Sequence, residues 1–168
     1  MSEQAPSVRY LVAIIGAGPA GLSAAARAAQ LDAKAGRSAP THVLLEGSPA
    51  HAKTIQRYQK GKHVMAEPGF LDLRSDLRFA AGSREQILEA WQEDYQRVGV
   101  NIRLGAAVRS ISGQRGDFRV QLADGGLVHA ETIVLAIGLE GNPRKIGAPG
   151  DDSSAVQYQL DDPKAYRN

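Results

Sequence analysis

The chain has 168 residues, 43% of them hydrophobic, enough to bury one core, and a single domain over residues 1–168 is expected. Its 20 Lys and Arg against 18 Asp and Glu give a net charge of +2 with no long basic block, which argues against nucleic acid as a partner. Cysteine is absent, which excludes disulfides, thiolate nucleophiles, paired-cysteine redox centres and cysteine-ligated metals, so any redox chemistry has to come from a bound cofactor.

Met1 to Arg9 is polar, and the apolar run that follows ends at Ile15, too short for a signal-peptide core or a membrane span. A soluble, cytoplasmic protein with no membrane partner is expected. Tyr10–Ile15 is rich in β-branched residues and reads as a central parallel strand that ends directly in Gly16. Pro19 to about Ala29 is dominated by alanine, which gives high helix propensity and a thin helix able to approach a sheet closely. His42–Leu45 reads as a second buried strand, ending at Glu46, so strand, turn, helix and strand make a βαβ unit. The 51–79 stretch is the least legible, with a short helix around Lys53–Gln59 followed by loop. Ser83 with Gln86 three residues on marks a capping box, and Ile87, Leu88, Trp91, Tyr95 and Val98 share one apolar helical face that Gly99 terminates. Asn101–Leu104 is a short strand. Val108–Ile111, Phe118–Leu122 and Leu127–Ala130 alternate as an antiparallel meander with turns at Gly113–Gly116 and Asp124–Gly126. Thr132–Ile137 is a further apolar strand, ending at Gly138. The expected class is α/β: a Rossmann-like parallel sheet with a βαβ unit and an antiparallel meander.

Gly16-Ala-Gly18-Pro-Ala-Gly21 is a GxGxxG pattern, common by itself and informative here because it leaves a buried strand and enters a helix. There, free backbone N–H groups and the positive end of the helix dipole suit a pyrophosphate. Gly16 permits the tight turn, Gly18 lets the backbone approach the phosphates, and Gly21 lets the helix pack on the strand. Pro19 falls near the first helical position, where its missing N–H costs nothing. Glu46, at the end of the second strand, is the carboxylate expected to accept the hydroxyls of an adenosine ribose, which also disfavours a 2′-phosphate there. Its spacing from the glycines exceeds the usual interval of about 20 residues, with Ala35–Pro40 as an insertion. A solvated charge at a strand end is the other reading of Glu46.

Ile15 to Leu22 as a whole resembles the FAD signature of the pyridine nucleotide-disulfide oxidoreductase superfamily, which includes thioredoxin-reductase-like and flavin monooxygenase-like enzymes. Thr132-Ile-Val-Leu-Ala-Ile-Gly138, then Pro143 and Ala148-Pro149-Gly150, is similar to a second motif of that family. The resemblance spans roughly residues 9 to 150 and includes the position of the meander. It implies that Gly16, Gly18, Pro19, Ala20 and Gly21 meet the FAD pyrophosphate and Glu46 the ribose. It further implies that Val108 offers its backbone to the adenine and that Ala136 and Gly138 lie close to the cofactor. NAD(P)H is then the implied electron donor of the full enzyme and the acceptor is unknown. Three family features are missing: the dithiol, a second GxGxxG, and a late Gly-Asp segment. The chain therefore resembles an N-terminal part of a larger enzyme, inactive by itself, and homodimerisation or association with further domains stays open.

Lys53, Arg57 and Lys60 fall at helical spacing and read as a solvated helix face, with a phosphate or an acidic partner as the alternative. His42, His51, His63 and His129 lack ligand-like spacing, so no metal site is expected. Arg74, Ser75 and Asp76 lie in a loop where the family brings the chain near the isoalloxazine, with ordinary polarity of an exposed loop as the other reading. No side chain reads as a catalytic acid, base or nucleophile. Two rival functions remain: a single-domain NAD-dependent dehydrogenase using the same turn, and a non-catalytic nucleotide-binding module.

Overall fold

The computed structural model of the protein describes residues 9–66, 74–139, 144–154, 156–158, 160, 162 and 164. The apolar run after the polar N-terminus forms β1 (Arg9–Ile15), and the alanine-rich segment forms α1 (Pro19–Lys34) with Pro19 in its first turn. Then follow β2 (His42–Leu45), the short α2 (Lys53–Gln56), β3 (His63–Val64), β4 (Gly82–Ser83), α3 (Arg84–Val98) and β5 (Ile102–Arg103). The meander is β6 (Val108–Gln114), β7 (Asp117–Leu122) and β8 (Leu127–Leu135).

One six-stranded sheet has the order β5-β2-β1-β8-β7-β6, and β3 and β4 make a separate antiparallel pair. β5, β2, β1 and β8 are parallel neighbours, while β8, β7 and β6 are antiparallel. β8 serves both halves: its start pairs with β7, and its end runs beside β1 from Arg9↔His129 to Ile15↔Leu135. The two segments expected at Leu127–Ala130 and Thr132–Ile137 are thus one strand, because each half finds a different partner along the same extended backbone.

Two apolar layers enclose the sheet. On one face Val12, Ile14, Leu44 and Val134 pack with Leu22, Ala25 and Ala26 of α1 and with Ile87, Trp91 and Tyr95 of α3. On the other, Tyr10, Ala13, Ile15, Val43 and Leu45 pack with Val120, Leu122, Val128 and Ala130, so the antiparallel half closes over the second face. The result is helices, sheet and meander in three layers.

α3 begins as its sequence predicts. The Gln86 N–H donates to Ser83 Oγ, the Gln86 side chain accepts from the Ser83 N–H, and Gly99 closes the helix in the left-handed region at φ 79°. α1 runs five residues beyond the alanine-rich stretch. Its last turns are polar, but Asp32 is buried there and accepts from the Thr41 N–H (2.9 Å) and hydroxyl (2.6 Å), from Arg37 (2.9 Å) and from His42 Nδ1 (2.9 Å). Burial alone would raise the Asp32 pKa, but these hydrogen bonds outweigh it and hold the carboxyl far below its ordinary 3.8. α2 is shorter than the Lys53–Gln59 expected, and Lys60 lies past it in a turn, paired with Asp162 at 3.3 Å. The β6–β7 turn is tighter than Gly113–Gly116: Gln114 already pairs with Asp117, which leaves Arg115 and Gly116 as the turn.

Candidate nucleotide-binding site

Gly16, Glu46 and Ala136 each follow the carboxyl end of a parallel strand, and the strands concerned, β2, β1 and β8, are neighbours. The chain leaves β1 toward β2 on one side, and β8 returns on the other. That reversal opens the crevice where ligands of open α/β sheets bind.

The glycines of the turn meet different surroundings. Gly16 has φ 101°, and a Cβ there would sit 2.5 Å from the Ala136 carbonyl oxygen. A Cβ on Gly21 would sit 1.8 Å from the Gly16 carbonyl oxygen and 3.3 Å from the Ala136 Cβ. Both positions therefore require glycine for packing. At Gly18 an added Cβ meets nothing within 4 Å, and the backbone, at φ −76° and ψ −176°, is open to any residue. The first helical bond runs from the Leu22 N–H to the Gly18 carbonyl at 2.9 Å. Among the described residues no acceptor meets the N–H groups of Gly18, Ala20 or Gly21, and α1 has no acidic residue in its first turn. Pro19 and Ala20 are exposed at this helix start.

Glu46 is buried, 9% exposed, and braces the turn. Its Oε2 accepts from the Ala17 N–H at 2.8 Å and its Oε1 from the Ser48 N–H at 2.8 Å. Each carboxylate oxygen can accept twice, so each retains one acceptor position. The reading of Glu46 as a solvated charge does not hold, because its carboxylate is desolvated and hydrogen-bonded to backbone. Ala17 is also gripped at its carbonyl, which accepts from the Ala52 N–H at 2.7 Å.

Ala136 packs under the turn, its N–H donating to the Ile15 carbonyl at 2.8 Å, and Gly138 lies beyond it, exposed, at φ 66°. Val108 opens β6 and is half-buried in the second apolar layer. The chain just before it abuts the acidic residue: the Ala106 N–H donates to the Glu46 carbonyl at 2.8 Å, and a Cβ on Gly47 would lie 3.4 Å from the Ala107 Cα. Of these predicted positions Ala136 touches the turn, Gly138 lies two residues further along the chain, and Val108 belongs to the second apolar cluster. Pro143 lies outside the described residues, as does part of the 51–82 stretch. Of the loop expected near the isoalloxazine, Ser75 is buried and shares a 2.8 Å hydrogen bond with Ser23 of α1, while Arg74 and Asp76 are exposed.

His51 is the residue that sequence reasoning passed over. It is 3% exposed, its Nε2–H donates to the Leu88 carbonyl of α3 at 3.2 Å, and its ring meets Tyr95 edge-on at 5.3 Å. Burial pushes its pKa below 6.5, partly opposed by the Leu88 carbonyl and the nearby Glu46 carboxylate. Nothing in the spacing of the histidines signals this role, which depends on α3 packing beneath the loop. Among the described residues no group of three His, Asp or Glu side chains could hold a metal ion, and no helix is long and apolar enough to cross a membrane.

A glycine turn beneath an alanine-rich helix, at the switch point of a parallel sheet covered by a meander, defines a Rossmann-like dinucleotide-binding domain. The chain belongs to the pyridine nucleotide-disulphide oxidoreductase family, whose profile matches residues 13–168. It is 26% identical over 156 residues to a ferredoxin–NADP reductase of Ignicoccus hospitalis, covering 91% of this chain and 44% of that protein. A ferredoxin–NADP reductase of Leuconostoc citreum is 28% identical over 149 residues, covering 88% of this chain and 39% of that protein. The chain thus spans less than half the length of these relatives. Among solved structures it is similar to a bacillithiol disulfide reductase from Staphylococcus aureus, with a TM-score of 0.74, 18% identity, and 91% and 46% of the two chains covered. The Bacillus cereus counterpart has a TM-score of 0.69 and 25% identity, with 92% and 47% covered.

Proposed function

We propose that the chain is the FAD-binding domain of an NAD(P)H-dependent flavoprotein oxidoreductase. The observation that carries this reading is the contrast within the turn: Gly16 and Gly21 are filled by packing, whereas Gly18 faces open space beside N–H groups that have no acceptor among the described residues. A glycine where a side chain would fit the protein is accounted for by a ligand that needs the backbone close. A pyrophosphate fits: it is anionic, it accepts from several N–H groups, and it matches the positive end of α1.

In this reading Gly18, Ala20 and Gly21 donate backbone N–H groups to the pyrophosphate, and Pro19 sets the helix start. Glu46 accepts the ribose hydroxyls through the acceptor position left on each oxygen. Val108 offers its backbone to the adenine, and Ala136 and Gly138 line the approach from β8. Bound FAD supplies the capacity to take up hydride and release electrons, which the side chains of this chain lack. Family membership supports FAD over NAD at the turn, and the buried Glu46 carboxylate supports an unphosphorylated ribose. NAD(P)H as donor is inferred from the same membership.

The test is titration with FAD and NAD, followed by flavin fluorescence and thermal unfolding. FAD at a hundred times its Kd is expected to stabilise the fold by about 2.7 kcal/mol. Gly18→Val is expected to leave the melting temperature without ligand near that of the wild type and to abolish FAD binding. Stabilisation by NAD alone supports a dehydrogenase instead, and no response to either nucleotide supports a non-catalytic module.

A further inference from the structure

Ala17, inside the glycine turn, is held at its N–H and at its carbonyl by one stretch of chain. Its N–H donates to the Glu46 side chain at 2.8 Å, and its carbonyl accepts from the Ala52 N–H at 2.7 Å. The loop between these two residues is tied to its surroundings at three places. The Ser48 N–H closes on Glu46 Oε1, the Gly105 N–H donates to the Ser48 carbonyl at 2.9 Å, and His51 Nε2–H reaches the Leu88 carbonyl at 3.2 Å. The first two ties hold the beginning of the loop. Its end is held by packing of Ala52 in the core and, next to it, by the His51 hydrogen bond, and that end is strained, because Ala52 is a non-glycine residue at φ 51°. A side chain that secures a strained residue gives the backbone next to it a fixed direction.

We propose that His51 is a positioning residue for the nucleotide turn: by anchoring the end of the 47–52 loop to α3, it keeps the Ala52 N–H on Ala17 and so holds the turn ready for a pyrophosphate. The inference rests on the reading of the turn as a dinucleotide site. The imidazole touches no ligand in this scheme. It acts through Ala52 and Ala17, and its contribution is the ordering that the ligand no longer has to impose. The edge-on contact with Tyr95 fixes the ring plane, and the carbonyl of Leu88, as an acceptor, selects the tautomer with the proton on Nε2.

The experiment compares wild type, His51→Leu and His51→Gln for FAD dissociation constant and for melting temperature without ligand, with binding measured well below the transition. Leu removes the donor and Gln retains one. His51→Leu is expected to weaken FAD about tenfold, the scale of reordering part of a loop on binding, and Gln to recover most of that loss. A merely structural role would lower the melting temperature and leave the constant of the folded protein within about twofold of wild type, which overturns the proposal. Amide hydrogen exchange on the wild type gives a second reading, independent of whether His51→Leu folds. The Ala52 amide is expected to be protected before FAD is added, and protection that arises only with FAD overturns the proposal. Failure of the wild type itself to bind FAD sinks the functional reading. Binding by the wild type with equal binding by His51→Leu sinks this inference alone.

Discussion

A methyl group at Gly21 would lie 1.8 Å from the Gly16 carbonyl oxygen, so the helix could not stay where it is, whereas the same group at Gly18 would touch nothing. Two glycines of one motif therefore answer to different physics: packing requires the one, and no protein neighbour constrains the other. Gly21→Ala is expected to cost about 3 kcal/mol, the upper end of overpacking penalties, as a lowered urea midpoint with an unchanged slope. Stability equal to wild type would mean that the helix does not depend on this close approach. Glu46 shows the same duality within one side chain. Its carboxylate accepts from the Ala17 and Ser48 N–H groups, so it organises the turn, and in the proposed function it also accepts from the ribose. The sequence marks Glu46 as an acid at a strand end, but the bond to Ala17 appears only when β2 lies beside β1.

Among the elements, α3 is, with β2, one whose boundaries are legible in full, because each of its ends is set by side chains and backbone within a few residues. Ser83 and Gln86 satisfy each other's N–H groups, and Gly99 takes the left-handed conformation that stops the helix. Ser83→Ala is expected to destabilise the protein by about 1 kcal/mol in chemical denaturation, since it leaves the Gln86 N–H without its partner. A larger loss would point to contacts of Ser83 beyond the cap. β8 is the opposite case. Its middle, with His129, Glu131 and Thr132, looks like a break between two strands, yet both halves are extended and hydrogen-bonded to different neighbours. α1 likewise outruns its apolar pattern, because what extends it is a buried carboxylate with distant donors.

Across the molecule the two ends of the parallel sheet carry different loads. The carboxyl end holds the glycine turn, Glu46 and Ala136. The opposite end is locked by a polar network in which His42 Nδ1–H donates to Asp32, its Nε2 accepts from the Asn101 N–H at 3.0 Å, and the Asn101 side chain donates to the His42 carbonyl at 2.8 Å. This ties the end of α1 to β2 and to the entry of β5. Asp32 has its folded pKa held below the unfolded 3.8, so between those values the unfolded chain binds a proton that the folded chain rejects. Its contribution is therefore complete above about pH 4 and is lost as pH falls below 3.8. Asp32→Asn is expected to lower stability at pH 7 by about 2–3 kcal/mol, the worth of hydrogen bonds to a charged acceptor, and to flatten the acid limb of the stability profile. An acid limb identical in both proteins would locate that proton uptake elsewhere.

From the sequence alone come the βαβ unit, the meander, the glycine turn and the full extent of α3. All of these rest on local signals: apolar runs, capping residues, and glycines at the ends of strands. Only the tertiary structure decides that Gly18 is open while Gly16 and Gly21 are filled, that Glu46 grips Ala17, and that His51 secures the loop over α3. Those facts depend on which strands and helices become neighbours, and the partners of a buried polar group are chosen by the fold rather than by residues adjacent in the chain.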